Sequence, residues 1–225
     1  ACRRVPLATR EQDARGALAA LAEAVGAGAP PPPQAATDHP VPTPGPITPE
    51  TMAEAIAAAM PENAIIVDEG VSAGRGVWAA TTACPRHSWL SLTGGAIGDG
   101  LPMATGAAVA CPDRPVIGIQ ADGSAMYTIQ SLWTQARENL NITTVILANR
   151  GYEILKQELF KVGANPGRSA LDMLEMDRPA IAFVKVAQGM GVPAGRVTCA
   201  RDLAERIAAS VTEPGPRLIE AILQP

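Results

Sequence analysis

The sequence predicts an α/β fold, a parallel sheet with helices on both faces. Three observations lead there. Short continuous apolar runs at residues 64–68 (AIIVD), 116–121 (VIGIQA) and 142–148 (ITTVILA) have the character of strands buried on both sides. Helix-length segments separate them, and strands alternating with helices build a parallel sheet. Polar and turn-forming residues stand directly after two of the runs, where open α/β sheets bind ligands.

Taken in order, residues 13–25 read as a short Ala/Leu helix. From 26 to 46 the chain is mostly Pro, Ala, Gly and Thr, with four prolines in a row from Pro30 to Pro33. Such a stretch favours an extended, semi-rigid spacer over a packed core. Three parts are therefore expected: residues 1–25 as the end of a preceding domain, 26–47 as a Pro-rich linker, and 48–225 as the main domain. Thr48-Pro49-Glu50 opens a helix to about residue 60, with Thr48 as cap and Pro49 at the first helical position. Residues 64–68 are a strand, 89–92 a second, and 100–111 a small-residue helix ended by Pro112. The strand 116–121 precedes an amphipathic helix at 128–140, capped by Thr128, and then the strand 142–148. Asp177-Arg178-Pro179 opens a helix to about 190, 192–197 hold a strand, Thr198 caps a helix to about 211, and 218–223 close with a strand.

Composition narrows the class. Of 225 residues, 47% are hydrophobic but only 3% aromatic, so the core is built from Ala, Val, Ile, Leu and Met. The net charge of -4, without a basic block, argues against a nucleic-acid surface or an anionic membrane as partner. No apolar run reaches membrane-spanning length. The four cysteines lie far apart with no C-x-x-C pair, which fits reduced thiols and a cytoplasmic protein.

The chemistry is carried by two strand ends. Gln120-Ala121-Asp122-Gly123-Ser124 ends one, and Ala148-Asn149-Arg150-Gly151-Tyr152 follows the next. One helix lies between, so a right-handed crossover makes the strands neighbours and brings Asp122 and Asn149 to one edge. A carboxylate and an amide oxygen are hard ligands suited to magnesium, which completes its shell with waters and phosphate oxygens. The Gly151 carbonyl can add a third protein ligand. Gly123 allows backbone to approach a phosphate, Ser124 offers a hydroxyl, and a helix starting near Thr128 would aim its amides at the same anion. Either fragment alone is an ordinary turn. The pair, one crossover apart, points to a magnesium-bound diphosphate.

Ala-Asp-Gly-Ser at 121–124, followed by Asn149, resembles the Gly-Asp-Gly-Ser…Asn signature of thiamine diphosphate-dependent enzymes, with Ala121 for the first glycine and Ala148-Asn149 for the usual Asn-Asn pair. Residues 92–102 (LTGGAIGDGLP) resemble that family's pyrimidine-side loop. Over about residues 48–225 the chain is similar to acetolactate synthase large-subunit-like proteins, with benzoylformate and pyruvate decarboxylases as relatives. Residues 1–25 resemble the tail of the family's middle domain. The resemblance implies thiamine diphosphate and Mg2+ as cofactors. Asp122, Asn149 and the Gly151 carbonyl would then bind magnesium, and Gly123 and Ser124 would border the diphosphate. The Gly95 carbonyl would accept a hydrogen bond from the aminopyrimidine, Ile97 would wedge between the cofactor's rings, and Ile154 would pack beside them. The implied reaction is decarboxylation of a 2-oxo acid and transfer of the enamine to an acceptor.

In that family the activating glutamate sits on a separate pyrimidine-binding domain, and the site forms between two subunits. The resemblance therefore implies that this chain supplies no catalytic residue, is inactive alone, and works as a homo-oligomer or with a chain carrying that domain. Gly151-Tyr152-Glu153-Ile154 is similar to the Gly-Tyr-x-Ile of pyruvate decarboxylases, but Leu155 stands where they carry a proton-handling Glu, against simple aldehyde release. A benzoylformate or pyruvate decarboxylase-like fragment, a non-catalytic cofactor-binding module and an unrelated α/β phosphate-binding domain stay open. The last predicts that Gly95 and Ile97 face away from the site. Trp78, Trp89 and Trp133 read as core or interface residues, and Tyr127 as packing. Asp68 and Glu69 read as helix caps, with residues 69–72 bordering the pocket by resemblance. Lys156, Glu158 and Lys161 read as a solvated helix face.

Overall fold

The computed structural model describes residues 5–28, 42 and 44–224. They fall into two compact units, residues 5–28 and residues 42–224. In the first, helix α1 (Ala14–Ala24) is capped by Asp13, whose carboxylate accepts from the N–H groups of Arg15 (3.1 Å) and Gly16 (3.0 Å). Its Leu18 and Leu21 are exposed. The proline run expected as a linker lies outside the described residues at 29–41 and 43.

The second unit runs α2 (Pro49–Ala58), β1 (Ile65–Glu69), α3 (Val71–Gly74), α4 (Val77–Thr81), β2 (Ser88–Ser91), α5 (Gly100–Ala110), β3 (Val116–Ala121), α6 (Asp122–Thr128), α7 (Ser131–Arg137), β4 (Ile142–Ala148), α8 (Glu153–Lys161), α9 (Arg168–Asp172), α10 (Phe183–Gly189), β5 (Ala194–Val197), α11 (Ala200–Ser210) and β6 (Arg217–Ile222). The strands form one sheet in the order β2-β1-β3-β4-β6-β5, and every neighbouring pair is parallel. This is the expected fold class.

Strand alternation divides the core into two layers, because successive side chains point to opposite faces. Ile66, Ile117, Ile119, Val145 and Leu147 pack with Met52 and Ile56 of α2 and Leu203 and Ile207 of α11. On the other face, Ile65, Val67, Val116 and Ile142 meet Ala104 and Ala108 of α5. Ile146 and Leu218 meet Leu132 of α7 and Phe183 of α10. Each buried Leu, Ile or Phe contributes about 2 kcal/mol by leaving water. The strands read as unbroken apolar runs because both faces are covered.

Three expected helix starts are corrected. The helix expected at 128–140 is the shorter α7, Ser131–Arg137, and a separate helix, α6, precedes it, beginning at Asp122 directly from β3, so Thr128 closes a helix instead of capping one. Extended Ala121 is the N-cap, and the Asp122-Gly123-Ser124 turn is already helical. The helix expected from Asp177 starts at Phe183, because residues 177–180 form a bridged turn with a cis Arg178–Pro179 bond. Thr198 does not cap α11. Cys199 is its N-cap without a side-chain bond, and the Ala200 N–H donates instead to the Gly45 carbonyl at 3.0 Å.

The start of α2 is as expected. The Thr48 hydroxyl accepts from the Thr51 N–H (3.3 Å), and the Thr51 hydroxyl accepts from the Thr48 N–H (2.9 Å), a reciprocal capping box. Thr48→Ala should lower the unfolding free energy by about 1 kcal/mol, while Thr48→Ser leaves it nearly unchanged. Urea denaturation of the three proteins checks this.

Candidate functional site

The sheet order places a topological switch at β1, which has β2 on one side and β3 on the other. Chains leaving the carboxyl ends on opposite sides of such a point open a crevice between them. A cavity of about 280 Å³ lies there, lined by residues 70–73 after β1, Ile97, residues 121–124 and Tyr127 after β3, and Leu147, Asn149 and residues 151–155 after β4. A second hollow of about 440 Å³ shares Ser72, Ala73, Asn149, Gly151 and Glu153 with it and continues towards Lys156 and Gln224.

Asp122 is the most constrained residue of the site. Parallel pairing of β3 with β4 brings its strand end beside Asn149. Asp122 is only 3% exposed. Its Oδ1 accepts from the Gly123 N–H (2.8 Å) and its Oδ2 from the Arg150 N–H (2.7 Å). Burial raises its pKa, opposed by the N–H groups of Arg150, Gly123, Asp122 and Asn149. None of the ion pairs among the described residues includes it. A buried carboxylate without a counter-charge is costly, and a divalent cation in the adjoining cavity would offset that cost.

The neighbouring loop supplies further oxygens. Asn149 Oδ1 accepts from the Gly151 N–H at 3.1 Å, closing a turn across Arg150, which holds a left-handed φ of 58°. The bridge between Gly151 and Glu175 is carried by Tyr152 N–H to Leu174 O and Met176 N–H to Arg150 O, both 2.8 Å, so the ladder does not use the Gly151 carbonyl. One carboxylate, one amide oxygen and one carbonyl form an all-oxygen donor set of magnesium type. Among the described residues no cluster of three His, Cys, Asp or Glu side chains offers a rival metal site. The residues present fit a magnesium ion.

Of the residues expected at the site, Ile97, Asp122, Gly123, Ser124, Asn149, Gly151 and Ile154 all line the cavity. Gly95 does not. It sits two residues before Ile97 on the same loop, at a left-handed φ of 76°. Of the two residues that the unrelated-fold alternative turns away from the site, Ile97 goes against it and Gly95 does not. Gly123 has a reason the sequence did not supply: a Cβ there would meet Tyr152 Cε1 at 2.7 Å. The Ser124 hydroxyl already accepts from Gln120 Nε2 (2.7 Å) and donates to the Ala121 carbonyl (3.1 Å). The helix whose first turn borders the cavity is α6, not one starting at Thr128.

Several residues read differently in place. Tyr127, expected as packing, is 65% exposed and lines the cavity. Val71 also lines it, at a left-handed φ of 49° that strains a β-branched residue. Asp68 Oδ1 accepts from the Gly70 N–H (2.9 Å), whereas Glu69 does not cap the helix that follows it: it is buried and accepts from Gly98 and from Gly100, the first residue of α5. Glu158 and Lys161 form an exposed pair as expected, whereas Lys156 is half-buried and paired with Glu175 at 2.7 Å. Trp78 and Trp89 pack edge to face at 5.1 Å, and Arg137 lies over the Trp133 ring at 5.0 Å. The three tryptophans stay outside the cavity.

The profile described as "Thiamine pyrophosphate enzyme, C-terminal TPP binding domain" matches residues 73–221. The chain belongs to that family. It is 51% identical over 212 residues to an acetolactate synthase large subunit-like protein, IlvX, of Mycobacterium tuberculosis, covering 93% of this chain and 41% of that one. It is 34% identical over 182 residues to benzoylformate decarboxylase of Pseudomonas aeruginosa, covering 80% and 33%. Among solved structures, thiamine diphosphate-dependent 4-hydroxybenzoylformate decarboxylase of Rhodococcus jostii RHA1 superposes with a TM-score of 0.73 at 30% identity, covering 93% of this chain and 39% of that one. The chain thus spans between about a third and two-fifths of these relatives' length. The family's binding domain holds thiamine diphosphate, and all but Gly70, Val71 and Ser72 of the residues lining the cavity lie inside the matched span. No helix among the described residues is long and apolar enough to cross a membrane.

The raised pKa of Asp122 has a measurable consequence. Its protonated form favours the folded state, a contribution full below the unfolded carboxylate's pKa and lost as pH rises through the folded value. With chelator present, the unfolding free energy of the wild type relative to Asp122→Asn should therefore fall as pH rises from the acid range to neutrality. Urea denaturation across that range checks it, and a flat difference contradicts it.

Proposed function

We propose that this chain is the magnesium- and diphosphate-binding half of a thiamine diphosphate-dependent 2-oxo-acid enzyme of the acetolactate synthase type. The observation that carries the reading is Asp122: a buried carboxylate without a side-chain cation, beside Asn149 and Gly151, at the mouth of a cavity that Ile97 also lines. Asp122, Asn149 and the Gly151 carbonyl hold the metal, Gly123 and Ser124 border the diphosphate, and Ile97 and Ile154, both on the cavity wall, take the rings. When bound, thiamine diphosphate supplies the carbon that attacks a 2-oxo group and accepts electrons as carbon dioxide leaves. This chain's part is to bind and orient. The metal site would fix the diphosphate end, Ile97 would bear on the rings, and Val71, Tyr127 and Leu155 line the same cavity beside them.

The activating glutamate belongs, by family resemblance, to a pyrimidine-binding domain, and the site is completed where such a domain meets this one. A decarboxylase reading is favoured by the similarity to the two benzoylformate-type enzymes. Leu155 supports transfer to an acceptor instead, because a simple decarboxylase needs an acid to protonate the carbon left behind.

Calorimetric titration tests the reading. Thiamine diphosphate should bind only with magnesium, and Asp122→Ala should weaken binding by about a hundredfold or more, as expected for loss of a metal-holding group. Magnesium-independent binding, or an unaffected Asp122→Ala protein, would remove the proposed metal site.

A further inference from the structure

We propose that Glu69 is a positioning residue of this site: its carboxylate latches the 97–100 loop and so sets where Ile97 stands against the cofactor. The inference rests on the reading that thiamine diphosphate occupies the cavity, and it adds a residue that touches neither metal nor cofactor. Glu69 ends β1 and is 2% exposed. Its Oε1 accepts from the Gly98 N–H at 2.5 Å, and its Oε2 accepts from the Gly100 N–H at 2.7 Å. The same Oε2 accepts from Nε2 of Gln120, its register partner on β3, at 2.8 Å. Gln120 Nε2 also donates to Ser124 Oγ at 2.7 Å, so one side-chain amide ties the latch to the Asp-Gly-Ser turn.

The loop is built around that carboxylate. Thr128 Oγ1 donates to the Gly98 carbonyl at 2.8 Å, so residue 98 is held by its N–H from β1 and by its C=O from the end of α6. Gly98 has a left-handed φ of 94°, and a Cβ there would meet Tyr127 Cβ at 2.6 Å. A Cβ on Gly100 would meet Gln120 Oε1 at 2.5 Å and Glu69 Oε2 at 2.6 Å. Ile97, 43% exposed and on the cavity wall, is the residue immediately before this clamp. Among the described residues no ion pair reaches Glu69. Burying a carboxylate on amide donors alone is costly, and packing could be met by an apolar side chain. What the carboxylate does that such a side chain cannot is to accept from two loop amides at once.

Glu69→Gln is the discriminating variant, because the amide keeps the shape but presents an NH2 donor to one of the loop N–H groups. Two readouts are compared with wild type. In hydrogen exchange without ligand, the peptide carrying Gly98 and Gly100 should exchange about tenfold faster or more, with the β3 and β4 peptides unchanged. In magnesium, affinity for thiamine diphosphate should fall about tenfold, while affinity for inorganic pyrophosphate stays the same because Asp122 and Asn149 are untouched. Ile97→Ala should show the same split between the two probes. If Glu69→Gln does not fold, Thr128→Val loosens the same residue from its other side and should give the same pattern. Parallel loss of both probes, or loss of neither, overturns the proposal. If the wild type binds neither probe, the cofactor reading fails, and the exchange rate alone then decides whether Glu69 holds the loop.

Discussion

A carboxylate buried at the end of a central strand is the constraint around which this site is organised. Asp122 leaves β3 at the point where the chain turns directly into α6, and both its oxygens are fixed by backbone N–H groups. One of these, from Arg150, belongs to the loop after β4, so the anion itself draws the two strand ends together. That loop accepts a left-handed residue at Arg150 to deliver its N–H. Such a φ costs a non-glycine residue about 1–2 kcal/mol, which the surrounding sheet must over-determine. The charge left after these bonds is what an incoming cation meets.

The sheet makes that arrangement possible. All six strands run parallel, so all their carboxyl ends lie along one edge, and the switch at β1 opens that edge between β1 and β3. Three strand ends contribute to one cavity although their residues are scattered from 70 to 155 in sequence. The two layers of aliphatic side chains keep the strands in register, and register fixes which residue emerges where. Glu69 faces Gln120, and Ala121 faces Leu147. A one-residue slip would exchange the two faces and separate Asp122 from the Asn149 loop.

What was legible in the sequence was what local chemistry decides. Buried parallel strands announce themselves as apolar runs, so β1, β3 and β4 were readable to within a residue. The Thr48 cap was readable because its partner Thr51 is three residues away. The pairing of Asp122 with Asn149 followed from two turns and one crossover. The start of α6 was not readable. Asp-Gly-Ser has turn propensity, and only the strand before it and the contacts of its buried side chains make it helical. The left-handed Val71 runs against the preference of every β-branched residue, so no local rule finds it. Glu69 reads as a cap of the helix after it, but its partners lie 29, 31 and 51 residues away, at Gly98, at the first residue of α5 and at Gln120, where no local rule finds them. Lys156 was misread as solvated because Glu175, 19 residues on, is invisible to helical spacing.

These long-range bonds also explain why the cavity's two halves are not independent. One half carries Asp122 and Asn149, just past the ends of β3 and β4, and the other carries Ile97 on a loop with no strand of its own. Left to its glycines, a loop with left-handed residues at 94, 95 and 98 would sample many conformations. Glu69 from β1 and Thr128 from α6 remove that freedom at Gly98, and Gln120 joins Glu69 to Ser124 across the strand boundary. The Asp122-Gly123-Ser124 turn is thereby linked to Ile97 through three hydrogen bonds and one peptide group. That coupling is a reason for a polar network here rather than a packed apolar contact. Apolar contacts tolerate sliding, whereas directional bonds fix distance and angle together.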